Sequence, residues 1–183
     1  LKKLFVSLPL VILMVSNTLA DLVDWGMTAG RVYTDNSFST IVPNGTLARF
    51  GTFGASYDFT GKSFAQLNAD FTVWGTDTSM AGGQFYVHNT TTTGPDFTPW
   101  YIFIGSSPSS FGIFGNPDWY NSDDPLISPF VRAIDLSDPG TYAAGGYGFI
   151  SGNDVALIPE PSTFALLALG SAAFVVMRKR RKS

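Results

Sequence analysis

One run in this chain cannot be absorbed whole by a compact fold. Phe164 to Met177 is apolar apart from Gly170 and Ser171, and it leads directly into Arg178-Lys179-Arg180-Arg181-Lys182-Ser183. The run is 14 residues, or 16 counted from Ser162. As a helix it would extend about 21 to 24 Å, short of a hydrocarbon core of about 30 Å. Length alone therefore leaves a buried core helix in competition. The cations decide against it. Five in succession could not be buried without partners, and long Arg and Lys stems reach toward the interface and lengthen the effective span. We expect a transmembrane helix over about residues 162–177. Arg178, Lys179, Arg180, Arg181 and Lys182 would form a basic stop on the cytoplasmic side, with the body of the chain on the other.

The opposite end carries a matching signal. Lys2 and Lys3 precede an apolar stretch, Leu4 to Val15, and Thr18-Leu19-Ala20 places small residues where a signal peptidase reads them. Residues 1–20 are expected to be a secretory signal peptide, cut between Ala20 and Asp21. A translocated body needs an export signal, and a basic C-terminus needs a stop on the inner face, so the two expectations support each other. Export machinery of the Sec type, signal peptidase and the inner membrane are the partners implied.

Between these ends lies a body of residues 21–158, ordinary for one domain. The formal charge of −3 conceals its character. The body holds Arg31, Arg49, Lys62 and Arg132 against 13 aspartates, a net charge of −9. Clustered Lys and Arg are what phosphate contacts require, so nucleic acid is not an expected partner. The chain has no cysteine, and an exported body without disulfides must be held by packing.

The body is rich in Phe, Tyr, Trp, Thr, Gly, Ser and Asn, a composition that favours strands and turns. Strands are expected near Trp25–Thr34, Leu47–Phe53, Asn68–Trp74, Gln84–His88, Trp100–Ile104, Phe111–Phe114, Phe130–Ile134, Tyr147–Ser151 and Val155–Ile158. Turn signals fall between them, among them Pro43-Asn44-Gly45, Gly82-Gly83, Asn116-Pro117-Asp118 and Asp138-Pro139-Gly140. The expected fold is all-β, a small antiparallel β-sandwich or barrel. Lys62–Ala69 is the one stretch that reads as a helix. Phe50-Gly51-Thr52-Phe53-Gly54 and Phe111-Gly112-Ile113-Phe114-Gly115 share four of five residues. They read either as equivalent strands or as coincidence in a Phe- and Gly-rich chain.

Just before the apolar run stands Pro159-Glu160-Pro161. Neither proline can donate a backbone hydrogen bond, and Pro161 disfavours helical geometry at Glu160. The segment should be extended and easy to grip. Glu160 is the only glutamate in the chain, so its carboxylate makes a well-defined handle; a rigid juxtamembrane linker is the competing reading. Pro-Glu-Pro, an apolar helix with small residues and an Arg-rich end, in that order, resembles the PEP-CTERM sorting signal of exported proteins from Gram-negative bacteria that make extracellular polysaccharide. The resemblance is confined to about the last 25 residues. It implies recognition of Pro159, Glu160 and Pro161 by an exosortase, a membrane-embedded, cysteine transpeptidase-like enzyme, in the segment 159–183. It names a processing route and not an activity of the body.

The search for chemistry in the body returns little. His88 is the only histidine, and no nucleophile-elbow motif accompanies it. One histidine and no cysteine make a poor zinc site. Asp118, Asp123 and Asp124, with Asn116 and Asn121, offer hard oxygen donors for weakly held Ca²⁺, but without EF-hand spacing; a solvated loop competes. Asn44-Gly45-Thr46 and Asn89-Thr90-Thr91 match the glycosylation acceptor pattern, which a surface loop explains as well. No catalytic residue and no cofactor is expected. The expectation is a surface or extracellular-matrix protein, structural or adhesive among extracellular polysaccharide. Two alternatives stay open. A row of exposed coplanar aromatics would favour a carbohydrate-binding module, and aspartates converging in a deep cleft would favour a hydrolase.

Overall fold

The computed structural model describes residues 22–92, 97–120 and 132–158. Eleven strands occur among them: β1 Leu22–Met27, β2 Val32–Tyr33, β3 Ala48–Thr52, β4 Thr72–Asp77, β5 Phe85–Thr91, β6 Pro99–Ser107, β7 Ser110–Tyr120, β8 Arg132–Asp135, β9 Tyr142–Ala143, β10 Phe149–Ser151 and β11 Asp154–Ala156. They form a five-stranded sheet in the order β4-β3-β6-β7-β9 and two three-stranded sheets, β5-β1-β8 and β10-β11-β2. The all-β expectation is met in its coarse form, and the barrel alternative is corrected: these sheets are open. Antiparallel pairing dominates, but β1 with β8 and β11 with β2 pair in parallel. Parallel partners must be far apart in sequence, so no local turn signal announces them.

The five-stranded sheet is covered on both faces, and the alternation of its side chains shows how. On β6, Trp100, Ile102 and Ile104 point into one buried cluster, while Tyr101 and Phe103 point into another. The first cluster lies between this sheet and the smaller ones. It joins Phe50, Trp100, Ile102, Ile104 and Phe114 to Trp25, Met27, Phe85, Ile134, Val155 and Leu157. Trp25 stacks on Phe50 at 5.6 Å between ring centroids, and its indole Nε1 donates to Thr90 Oγ1 at 2.7 Å. Burying an indole this deeply requires such an acceptor. The second cluster is built almost wholly of rings, Phe53, Phe71, Tyr101, Phe103, Phe111 and Tyr147, and is closed by Leu67 of the helix.

That helix, α1 (Phe64–Asp70), begins where local chemistry starts it. The Ser63 side chain accepts from the Gln66 amide, and the Gln66 side chain accepts from the Ser63 amide, a reciprocal cap. The expected strand from Asn68 accordingly begins only at Thr72, and the expected strand Trp25–Thr34 divides into β1 and β2. The Asn116-Pro117-Asp118 turn is also corrected, because these residues continue β7. Proline is tolerated here since pairing with β9 stops at Gly115 and the β6 register shifts between Pro99 and Tyr101. The two Phe-Gly-x-Phe-Gly stretches belong to the strands flanking β6, the first running past the end of β3 from Phe53 on and the second lying within β7, but in opposite senses. Phe50 faces the first cluster and Phe53 the second, whereas Phe111 faces the second and Phe114 the first. They are not equivalent strands.

Among the described residues no helix is long and apolar enough to cross a membrane. The transmembrane helix expected at 162–177 and the signal peptide expected at 1–20 lie outside the described residues.

Candidate functional site

The residues singled out for sorting and processing, Pro159, Glu160, Pro161, Ala20, Asp21 and Arg178 to Lys182, lie outside the described residues. What the structure does describe is the chain that delivers the first three. β11 is the middle strand of its sheet, with β10 on one side and β2 on the other. Val155, Ala156 and Leu157 are buried. Past the strand, the Leu157 amide donates to the Tyr33 carbonyl at 2.8 Å, and the Ile158 amide to the Phe111 carbonyl at 2.9 Å. The Phe111 amide returns a bond to the Ile158 carbonyl at 3.1 Å. The body thus holds the chain up to the residue before Pro159.

The body carries a concavity elsewhere. A cleft of about 570 Å³ opens at the far end of β7, walled by Trp100, Trp119, Tyr120, Arg132, Asp118 and Asp138 among others. The Arg132 guanidinium lies 5.6 Å from the Trp100 ring centroid and 5.7 Å from that of Tyr120, and its Nη1 donates to the Tyr120 carbonyl at 2.8 Å. The ion pairs among the described residues are Lys62–Asp70 and Asp24–His88; Arg132 belongs to neither. Phe97, 69% exposed, stacks on Tyr120 with centroids 5.6 Å apart. The acidic wall is fixed from behind. Asp138 accepts from the Asp135 amide at 2.9 Å and from Trp119 Nε1 at 3.4 Å. Asn116 bonds the Pro139 carbonyl and the Asp118 amide. The Tyr120 ring, a guanidinium outside the ion pairs of the described residues and fixed oxygen acceptors together suit a polyhydroxylated ligand.

The other candidates separate. His88 Nδ1 sits 3.0 Å from Asp24 Oδ2 on an exposed edge, with the Tyr86 ring edge-on at 4.7 Å. Burial pushes the Asp24 carboxyl up, but the Asn89 amide and the His88 ring outweigh it and hold the group below the ordinary carboxylate range. Of the proposed calcium donors, Asp118 and Asn116 are neighbours on β7, while Asn121, Asp123 and Asp124 lie outside the described residues. Among the described residues no three His, Cys, Asp or Glu side chains gather as a metal site.

One polar residue escaped the sequence reading. Arg49, only 8% exposed, lies over the Phe103 ring at 4.1 Å inside the aromatic cluster. Its Nη1 donates to Asn68 Oδ1 at 2.6 Å, and its Nε has no hydrogen-bond partner. Desolvation alone lowers its pKa. A lone cation in a β-type run gives no sign of facing inward. The cleft was equally hidden, because its walls come from three separated parts of the chain.

The Trp residues were candidates for sugar stacking. Trp25, Trp100 and Trp119 are buried and Trp74 is half-buried; among the described residues the most exposed aromatics are Tyr86, Phe97, Tyr142 and Phe149. No curated protein and no solved structure matches the chain. One family model does, over part of it. Residues 157–181, which take in Pro159, Glu160 and Pro161 and begin with the buried Leu157, match the PEP-CTERM protein-sorting motif.

Proposed function

We propose that this is an exported protein of the cell surface or extracellular matrix, delivered through its C-terminal signal by an exosortase, with a non-catalytic body that is structural or adhesive among extracellular polysaccharide. The match of residues 157–181 to the sorting motif carries this reading. Pro159, Glu160 and Pro161 are the recognition element. The apolar run holds an inner-membrane intermediate with Arg178 to Lys182 in the cytoplasm, and the body outside. The acidic, cysteine-free composition supports a soluble body once it is released.

Intact-mass measurement on the native protein from membrane and extracellular fractions tests it. The expected product begins at Asp21 and ends near Pro159-Glu160-Pro161. A full-length C-terminus confined to the membrane would sink the processing claim.

The cleft favours a second reading for the body, a carbohydrate-binding module. Its support is the Arg132 guanidinium between Trp100 and Tyr120, beside fixed acceptors on Asn116 and Asp138. Retention on a panel of neutral and anionic polysaccharides, compared with Arg132→Gln, tests it. At least tenfold weaker binding by a normally folded variant is expected. Equal binding by both proteins, or none by the parent, would remove the reading.

A further inference from the structure

The sorting motif and the folded body overlap. The motif match starts at Leu157, yet Leu157 is 2% exposed and belongs to the core between the sheets. Its seat is shaped for it: a Cβ added at Gly112 would lie 3.0 Å from Leu157 Cδ2. Ile158 is half-buried and held by two backbone bonds to Phe111, itself fully buried in the aromatic cluster. No spacer separates Ile158 from Pro159. Only five residues, 159 to 163, lie between Ile158 and the start of the apolar run at Phe164. Even fully extended they reach about 20 Å.

We infer that the folded body is the ruler for processing: β11 and the Ile158–Phe111 bridge set the upstream limit of the segment that a membrane-embedded enzyme can take. This rests on the sorting reading above. An enzyme cleft needs extended, unpaired chain. Beyond Ile158 stand two prolines, which disfavour helical backbone, and taking up that chain requires breaking none of the bonds of β11 or of the Phe111 bridge. Drawing in Ile158 breaks two backbone bonds at the edge of the fold. Drawing in Leu157 exposes a core side chain and frees the Tyr33 carbonyl. Drawing in Ala156 and Val155 removes the central strand of β10-β11-β2 and opens the cluster beneath it. The resistance therefore rises at each step upstream.

The bond that breaks lies on the C-terminal side of Ile158. Its carbonyl carbon passes to the acceptor, water in hydrolysis or an amine in transpeptidation. The nitrogen of the departing tail takes up a proton and leaves as an amine. A product ending at Ile158 or later keeps β11 paired and the body intact.

Two measurements test the ruler. The first is amide hydrogen exchange on the unprocessed full chain in lipid nanodiscs. Protection at Val155 and Leu157 comparable to that of the β6 amides is expected, with Ile158 intermediate. Exchange at Leu157 as fast as in an open linker would overturn the inference, whatever becomes of the tail. The second compares the native chain with one carrying eight Gly and Ser residues between Ile158 and Pro159, in cells that process the protein. The native C-terminus should map to residue 158 or beyond, and the spacer should speed loss of the tail several-fold. A native C-terminus upstream of Ile158, or an unchanged rate with the spacer, would overturn the ruler. An intact tail in both forms would sink the sorting reading, and the ruler with it.

Discussion

The two faces of the five-stranded sheet are covered differently. One face packs against other strands. Its core mixes Trp, Ile, Val, Met and Phe; the Trp25 indole is paired with Thr90, whereas that of Trp74, packed against the same core, has no partner. The other face packs against a seven-residue helix that brings Phe64 and against the loop rings Tyr57 and Phe59, and surrounds a buried guanidinium with an unpaired Nε. The strand-covered face is held from both sides by ladders that cannot shift without losing hydrogen bonds. The ring-covered face is closed by short segments that can settle inward. The same sheet therefore has a rigid side and a more forgiving one.

Substitutions can break or sharpen that contrast. Phe50→Ala, on the rigid face, should cost about 3–5 kcal/mol in denaturant unfolding, the range for a large ring removed from a core that cannot collapse. Phe53→Ala, on the ring-covered face, should cost less, below about 3 kcal/mol, because Tyr57 and Phe59 stack directly on it and can close the gap. Equal costs would break the comparison. Thr90→Val keeps the shape but orphans the Trp25 indole, and should cost about 1–3 kcal/mol; a smaller loss would mean that the indole finds another acceptor. Ser63→Ala removes the reciprocal cap of α1 and should cost about 1 kcal/mol in the same assay.

The smallest effect concerns the edge of the rigid face. The Asp24 carboxyl is depressed below its ordinary value of 3.8 in the folded state. A depressed acid stabilises the fold above the unfolded-state pKa, and that contribution is lost as pH falls through the folded value. Asp24→Asn should therefore lower stability slightly at neutral pH and flatten its fall below about pH 4, so that variant and parent converge in acid. An unaltered acid limb in thermal melts across that range would remove Asp24 from the account.

Much of the fold was readable because its signals are local. The reciprocal Ser63–Gln66 cap follows a plain rule, and the helix formed within two residues of its expected start. Tyr-, Phe- and Ile-rich runs bounded by Gly and Asp became β3, β6 and β10 with shifted ends. The misses were long-range. The Asn116-Pro117-Asp118 signal was overridden because neither neighbouring strand asks Pro117 for a donor. The inward turn of Arg49 depends on Phe103, distant in sequence, offering a ring face. The cleft exists only because β6, β7 and β8 meet at one end.

The tail shows where the boundary falls. The sorting motif is a contiguous change of composition, so the sequence by itself determined that it is there and that a β-rich, acidic, disulfide-free body precedes it. Composition and turn chemistry act within a few residues and need no partner. Tertiary structure decided which side of the sheet each ring occupies, that Arg132 borders a cleft, and that Leu157 and Ile158 belong to the folded body as well as to the motif. Those facts depend on which distant strand lies alongside, and that is settled by burial and hydrogen-bond pairing across the whole domain.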